Sequence, residues 1–272
     1  MQIFVNNIAH NSLDLPTRMA YGDGIFETIR VDNHRALFLA AHLARFKASA
    51  VFFDLLPGSF DWSEFSRILS ETVTGISNGV IKVIMVRKSQ GRGYRYSPEA
   101  GSDIIFECYE DYIPTGWEAT PANVGICSVP CSVNAVLAGH KHLNRLDSVL
   151  AAREIQQAGW DEGLLGIADQ VLEASSANVF LVSGDEIVTP DLSQAGVNGV
   201  IRREILNEFP VTVAPHISVS DCLNASAMFL TNAVKIVWPV NSLTVMDQII
   251  RYDLENPVVN RIVSCFRNRL PC

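Results

Sequence analysis

Apolar positions alternate with polar ones in some stretches of the chain and recur every three to four residues in others, which separates strands from helices. GIFETIRVDNHRALFL (24–39) reads as a hairpin with Asp32-Asn33 at its turn. AAHLARFKASAVFF (40–53) has helical spacing. Asp61 is placed to cap a second helix, with Glu64 three residues on as in a capping box, and Trp62, Phe65, Ile68 and Leu69 as its apolar face. GVIKVIMVRK (79–88) and SDIIFECYE (102–110) read as strands flanking a glycine-rich turn, SQGRGYRYSPEAG. In YIPTGWEATP (112–121) two prolines and a glycine interrupt every pattern. That break predicts a first domain over 1–112, a linker over 113–121 and a second domain over 122–272.

Past the break, ANVGICSVP restarts as a strand. Asn144 is expected to open a helix with Leu146, Val149 and Leu150 inward. GLLGIA, QVLEA and NVFLVSG are short apolar strands, and LSQAGVNGVIRREIL is a loop running into a helix. SAMFLTNAVKIVWPV gives two strands around a polar insertion, and 257–267 is helical. Strands and helices mix in both halves without an internal repeat. The expected fold class is therefore two-domain α/β, with a ligand between the halves.

Composition narrows the classes. With 272 residues, 48% hydrophobic and 18% charged, the chain has ample material for a packed core. Its formal net charge of −8 disfavours a phosphate backbone as partner, so no nucleic acid is expected. No apolar run is long enough to span a bilayer, and the first residues, MQIFVNNIAHNS, carry no basic segment followed by an apolar one. No membrane and a cytoplasmic location are the expectations. Cys127 and Cys131 are four apart rather than three, and the six cysteines are dispersed, which favours reduced, mostly buried thiols.

Candidate chemistry starts at AGHKHLNRL (138–146). Lys141 lies between His140 and His142; cationic neighbours or burial lower a lysine's pKa and make it a nucleophile, while an exposed loop lysine is the plainer reading. The H-x-H pair also permits a metal, but the other histidines form no spaced cluster. Glu173 sits inside a strand-forming apolar run, where a buried carboxylate needs a partner such as a protonated ring nitrogen; an outward position is the alternative. The GVNG loop (196–199) opens a helix whose backbone N–H groups suit a phosphate. Thr231 and Asn232 end a strand, able to reach a phosphate or to cap the chain. Arg45 lies among apolar neighbours, where a buried guanidinium wants an anion. An amine nucleophile, an acid for a ring nitrogen and a phosphate cradle together make the protein inventory for pyridoxal 5'-phosphate.

YGDGIFETIR (21–30), HLARF (42–46), KHLNRL (141–146), EASSANVF (173–180), GVNGVIRR (196–203) and LTNA (230–233) occur in the order in which they occur in the fold-type IV pyridoxal phosphate enzymes, and the chain resembles that family over most of its length. The family holds branched-chain and D-amino acid aminotransferases and aminodeoxychorismate lyases; LAGHKHLNRLDSVLAA and GRGY (91–94) look like the lyase branch. The resemblance implies a smaller N-terminal α/β sandwich, a larger C-terminal α/β pseudo-barrel, and commonly a homodimer. It implies Lys141 as the covalent anchor of the cofactor and Glu173 on the pyridine nitrogen. Arg45, the backbone around Val197 and Asn198, and Thr231 or Asn232 then hold the phosphate. The reaction implied is release of pyruvate from 4-amino-4-deoxychorismate to give 4-aminobenzoate, a folate precursor. Arg92, Tyr94, Arg30 and Arg145 are the candidates for meeting that substrate, and Arg95 shares the turn with the first two.

Overall fold

The computed structural model describes residues 2–5, 8–10, 17–56, 60–88, 93–110 and 120–269; residues 113–119 of the expected linker lie outside them. The chain groups into two compact units. His140–Asn144 joins the first with the described residues up to 110; residues 120–139 and 145–269 make the second.

Among the described residues the first unit has a six-stranded sheet and two α-helices. Its strands are β1 (Gln2–Val5), β2 (Ile8–His10), β3 (Gly24–Asp32), β4 (Arg35–Ala36), β5 (Gly79–Arg87) and β6 (Ser102–Glu110), in the spatial order β2-β1-β6-β5-β3-β4. The helices are α1 (Leu39–Phe52) and α2 (Trp62–Thr74). Every pairing in this sheet is antiparallel. Period-two alternation along β3 divides its side chains. Ile25, Ile29 and Val31 join Phe46 of α1 and Phe65 and Leu69 of α2 in the main core, while Phe26 joins a smaller cluster with Ile84, Val86 and Ile105.

The helix α2 begins where the capping pattern places it. The Asp61 carboxylate accepts the N–H groups of Ser63 and Glu64, and Phe65, Leu69 and Val73 form the buried face. The carboxylate of Glu64 pairs with Arg67 at 2.8 Å. The hairpin differs from expectation by one residue. Asp32 still belongs to β3, and the turn is Asn33-His34, both at positive φ (50° and 59°). Two consecutive left-handed residues are the backbone of the tight turn that matches strand twist, and asparagine tolerates it well.

The second unit holds a nine-stranded sheet. Its elements run β7 (Ala122–Ile126), α3 (Leu146–Ala158), β8 (Glu162–Ile167), β9 (Gln170–Ala174), β10 (Asn178–Ser183), β11 (Glu186–Pro190), α4 (Val200–Glu208), β12 (Val211–Ala214), α5 (Val219–Asn224), β13 (Ala227–Asn232), β14 (Ile236–Val245), β15 (Gln248–Arg251) and α6 (Pro257–Arg267). The order is β12-β11-β10-β13-β14-β7-β8-β9, with β15 on β14. The far strand β9 returns to β10 through a tight turn closed by Ala174 N–H to Ala177 O at 2.7 Å, so the sheet curls back toward its middle. Apolar runs such as NVFLVS of β10, buried at five of six positions, fill the interior.

Here α3 departs from the sequence reading. Leu146, Val149 and Leu150 are exposed, at 71%, 61% and 37%; the face that packs carries Ala151 and Ile155. The face that packs joins Ala151 and Ile155 to Cys127, Leu165 and Leu172 in one apolar cluster. Asn144 does not cap it: Arg145 stands at the N-cap, and the Asn144 amide donates to Gly22 O at 3.1 Å. Among the described cysteines, Cys108, Cys127, Cys131 and Cys222 are buried free thiols, and Cys265 is half-buried.

Phe106 of β6 is 1% exposed and stacks on Phe65 at 6.0 Å. Phe106→Ala is expected to cost about 3–5 kcal/mol in urea unfolding; a cost below about 1 kcal/mol would show that α2 does not seat on this sheet.

Candidate active site

The lysine segment pairs through an isolated bridge with the free edge of β3, beyond the two-residue β4. Phe26 N–H donates to Lys141 O at 2.9 Å, Leu143 N–H donates to Gly24 O at 3.0 Å, and His142 pairs with Ile25. Strand alternation then separates three groups that are adjacent in sequence. His142 takes the Ile25 side of the sheet and His140 follows it, while Lys141 and Leu143 take the other. The ring of Phe26 lies on that other side, with the Lys141 ammonium 4.3 Å from its centroid. Both histidines have partners: His140 bonds Ser49 Oγ at 2.9 Å, and His142 Nδ1 accepts Asn144 N–H at 3.2 Å. Gly22 makes room for this corner. It has φ +65°, and a Cβ there would fall 2.3 Å from the Asn144 side chain.

On the opposite side of β3, α1 and the strand share a buried ion cluster. The Glu27 carboxylate accepts Arg45 Nε at 2.7 Å, Arg45 Nη2 at 2.6 Å and His42 Nδ1 at 2.6 Å. Burial alone would raise the Glu27 carboxyl; the Arg45 charge, then the His42 and Arg45 hydrogen bonds, overcome it and hold the group at about 2. With Glu27 ionised, Nδ1 of His42 must carry the hydrogen. The anion that Arg45 meets within its own unit is therefore Glu27. Neither Glu27 nor His42 stood out in the sequence, because nothing in FETIR or HLARF shows that these side chains face each other.

In the second unit, Glu173 on β9 is 7% exposed, and its Oε2 accepts Val197 N–H at 2.9 Å. Gly196, at φ +83°, permits that approach: a Cβ there would stand 3.0 Å from the same oxygen. Asn198 N–H donates to Gly139 O at 3.1 Å, and Gly139 N–H to Gly196 O at 2.8 Å. Asn178 braces the loop twice, accepting Gly199 N–H at 3.1 Å and donating to Val197 O at 2.8 Å. The amides of Val197 and Asn198, expected at a phosphate, are thus engaged by protein. The first bond inside α4 runs from Arg203 N–H to Gly199 O at 3.0 Å, which leaves the amides of Val200, Ile201 and Arg202 as the ones the helix itself does not use.

Thr231 and Asn232 separate in role. Asn232 Oδ1 accepts Val234 N–H at 3.0 Å and Lys235 N–H at 2.7 Å, closing the turn into β14. Thr231 is 2% exposed, and among the described residues its Oγ1 has no hydrogen-bond partner. It pairs across the sheet with Asn178, the residue that holds Gly199 at the start of α4. Arg202 bonds Asn198 Oδ1 and Pro190 O through its Nη atoms, with Nε buried and unpartnered among the described residues. Burial lowers its pKa. Close by, Cys131 is pushed up to about 12, first by burial and then by the Glu173 and Asp147 charges, so it remains a thiol.

The remaining candidates are scattered. Arg30 is buried on β3 and pairs with Asp32 at 3.1 Å. Tyr94 is 82% exposed, and its carbonyl accepts Arg18 Nη2 at 3.4 Å. Arg95 is exposed and Arg145 half-buried; Arg92 lies outside the described residues. The first unit therefore carries Lys141, Arg45, Arg30 and Tyr94, and the second carries Glu173, Val197, Asn198, Thr231, Asn232 and Arg145.

Comparison with known proteins gives this arrangement a context. The family model described as amino-transferase class IV matches residues 24–243. The aminodeoxychorismate lyase of Vibrio harveyi is 30% identical over 253 residues, covering 89% of this chain and 91% of the relative. A Thermotoga maritima protein named "probable branched-chain-amino-acid aminotransferase" is 31% identical over 225 residues, covering 80% of this chain and 77% of the relative. The crystal structure of 4-amino-4-deoxychorismate lyase from Pseudomonas aeruginosa superposes with a TM-score of 0.85 at 28% identity, covering 98% of this chain and 99% of that one. The two-domain fold-type IV architecture is thereby shown.

The buried cluster makes a pH prediction. Because the folded pKa of Glu27 is depressed, its stabilisation is complete above the ordinary carboxylate range and disappears as pH falls from about 4.5 toward 2. Glu27→Gln is expected to lose about 3–5 kcal/mol at pH 7, since Arg45 is left without its anion. The gap between variant and wild type in urea unfolding should narrow below about pH 4.5; a gap independent of pH would contradict the assignment.

Proposed function

Because the chain belongs to the amino-transferase class IV family, we propose that it is a pyridoxal 5'-phosphate-dependent aminodeoxychorismate lyase. In this reading it converts 4-amino-4-deoxychorismate to 4-aminobenzoate and pyruvate, a carbon–oxygen lyase step in folate biosynthesis. What carries the reading is likeness to lyases over nearly the whole chain, in sequence to the Vibrio harveyi enzyme and in structure to the Pseudomonas aeruginosa enzyme.

Enzymes of this class use pyridoxal 5'-phosphate. The residues present fit that group. Among the described residues the buried hydroxyl of Thr231 has no hydrogen-bond partner, and it lies across the sheet from the residue that fixes the start of α4. A phosphate there would be met by Thr231 and by the amides of Val200 and Ile201; Arg45 stays with the phosphate only as the family resemblance assigns it, its guanidinium being bonded here to Glu27. This moves the backbone donors three residues beyond Val197 and Asn198, whose amides instead orient Glu173 and the loop. Glu173 is assigned to the pyridine N–H. Lys141 is assigned as the covalent anchor.

When bound, the cofactor withdraws electrons and acidifies the carbon that bears the substrate amine. Lys141 Nζ takes the proton from that carbon. Glu173 Oε keeps the pyridine proton in place. Breaking of the ring C–O bond, with the removed proton delivered to the enolpyruvyl methylene so that the group leaves as pyruvate, would make the ring aromatic, a large driving force, so the protein's share is positioning and one proton relay. Arg30, Arg92, Tyr94 and Arg145 remain the candidates for the substrate, and Arg145 and Arg92 are the first to substitute. The exposed Leu146, Val149 and Leu150 on α3 support a homodimer. Among the described residues no helix is long and apolar enough to cross a membrane.

One specific observation favours a second reading, amino transfer: the Thermotoga maritima relative matches the lyase in percent identity, 31% against 30%, though over 225 residues rather than 253. Purified protein given 4-amino-4-deoxychorismate should form 4-aminobenzoate and pyruvate in equal amounts. Lys141→Ala should form none, and Glu173→Gln should be slower by about a hundredfold or more. Transfer of an amino group from an amino acid to a keto acid, without 4-aminobenzoate, would replace the lyase by an aminotransferase.

A further inference from the structure

Backbone bonds to β3 hold the Lys141 strand on one side, and they are available whatever the side chains are. His140 adds a side-chain attachment on the α1 side. His140 bonds Ser49 Oγ at 2.9 Å, stacks on Phe52 at 4.4 Å and 24°, and meets Phe53 edge-on at 4.9 Å. Ser49 and Phe52 belong to the last turn of α1, and Ser49 stands one helical turn after Arg45 on the buried side of that helix. The residue next to the candidate nucleophile is thus clamped to the helix that carries the candidate phosphate arginine.

We propose that His140 is a positioning residue for Lys141: by joining the lysine segment to the end of α1 it fixes where the backbone of Lys141 stands, and so where its amine is presented to a cofactor aldehyde. The inference rests on the proposed cofactor chemistry and adds a residue to it. Strand alternation makes the arrangement workable. His140 points to the α1 side and Lys141 to the Phe26 side, so the clamp steadies the strand without touching the amine. Burial holds the His140 imidazole below its ordinary range, which keeps a further positive charge away from Lys141. A tight ring contact and one hydrogen bond are each worth up to a few-fold in an equilibrium constant.

The test uses the full chain, pyridoxal 5'-phosphate as probe, and His140→Phe, His140→Ala and Ser49→Ala. The readouts are the dissociation constant by absorbance titration, the absorbance maximum of bound cofactor, and the rate of borohydride trapping. His140→Phe, which keeps a ring but loses the bond, should weaken binding about threefold to fivefold; His140→Ala should weaken it about tenfold and slow trapping in proportion. Ser49→Ala should match His140→Phe and add nothing when combined with it. Unchanged constants, spectra and trapping rates in His140→Phe and Ser49→Ala overturn the proposal, even if His140→Ala fails to fold. Wild-type protein that takes up no cofactor instead overturns the functional reading beneath it.

Discussion

The candidate site depends on the way the segment around Lys141 pairs with the free edge of β3. Once Phe26 and Gly24 take up the backbone of Lys141 and Leu143, alternation decides where every neighbouring side chain goes. The lysine is delivered to one side of the sheet with Phe26, and the histidines on either side of it are delivered to the other. A sequence of three potentially cationic residues therefore does not place three charges together. The same alternation sends Glu27 of β3 toward α1, where Arg45 and His42 enclose it.

The second unit solves a related problem by different means. A carboxylate buried on β9 requires donors, and the loop before α4 provides one through Val197 N–H. Gly196 and Asn178 shape that loop, and its strap to Gly139 keeps it in place. The consequence is a division of labour among consecutive amides. Those of Val197 to Gly199 bond within the protein, whereas the ladder of α4 begins only with Arg203 N–H to Gly199 O, and among the described residues Thr231 Oγ1 has no hydrogen-bond partner.

Much of this was legible in the sequence because it depends on local spacing. The strand and helix periods, the Asp61 cap and the strand context of Glu173 follow from neighbours within a few residues. The ordered motifs pointed to the family and its cofactor. What escaped depends on tertiary partners. Arg45 reads as wanting an anion, but its partner Glu27 lies 18 residues away on another element. The choice between the two apolar stripes of α3 is made by what packs on it. The hairpin turn shifted by one residue because Asn33 and His34 both take the left-handed backbone that a two-residue turn needs at its two central positions. The GVNG amides look free in sequence and are occupied in space, which a helix-start motif cannot reveal.

The central claim, that Lys141 is the amine which bonds the cofactor aldehyde, has a direct test. Protein loaded with pyridoxal 5'-phosphate is reduced with borohydride, digested, and its peptides weighed. The cofactor's added mass should appear on the peptide containing Lys141 and fragment to that residue. Finding it on Lys82, Lys88 or Lys235, or on no lysine, would contradict the account.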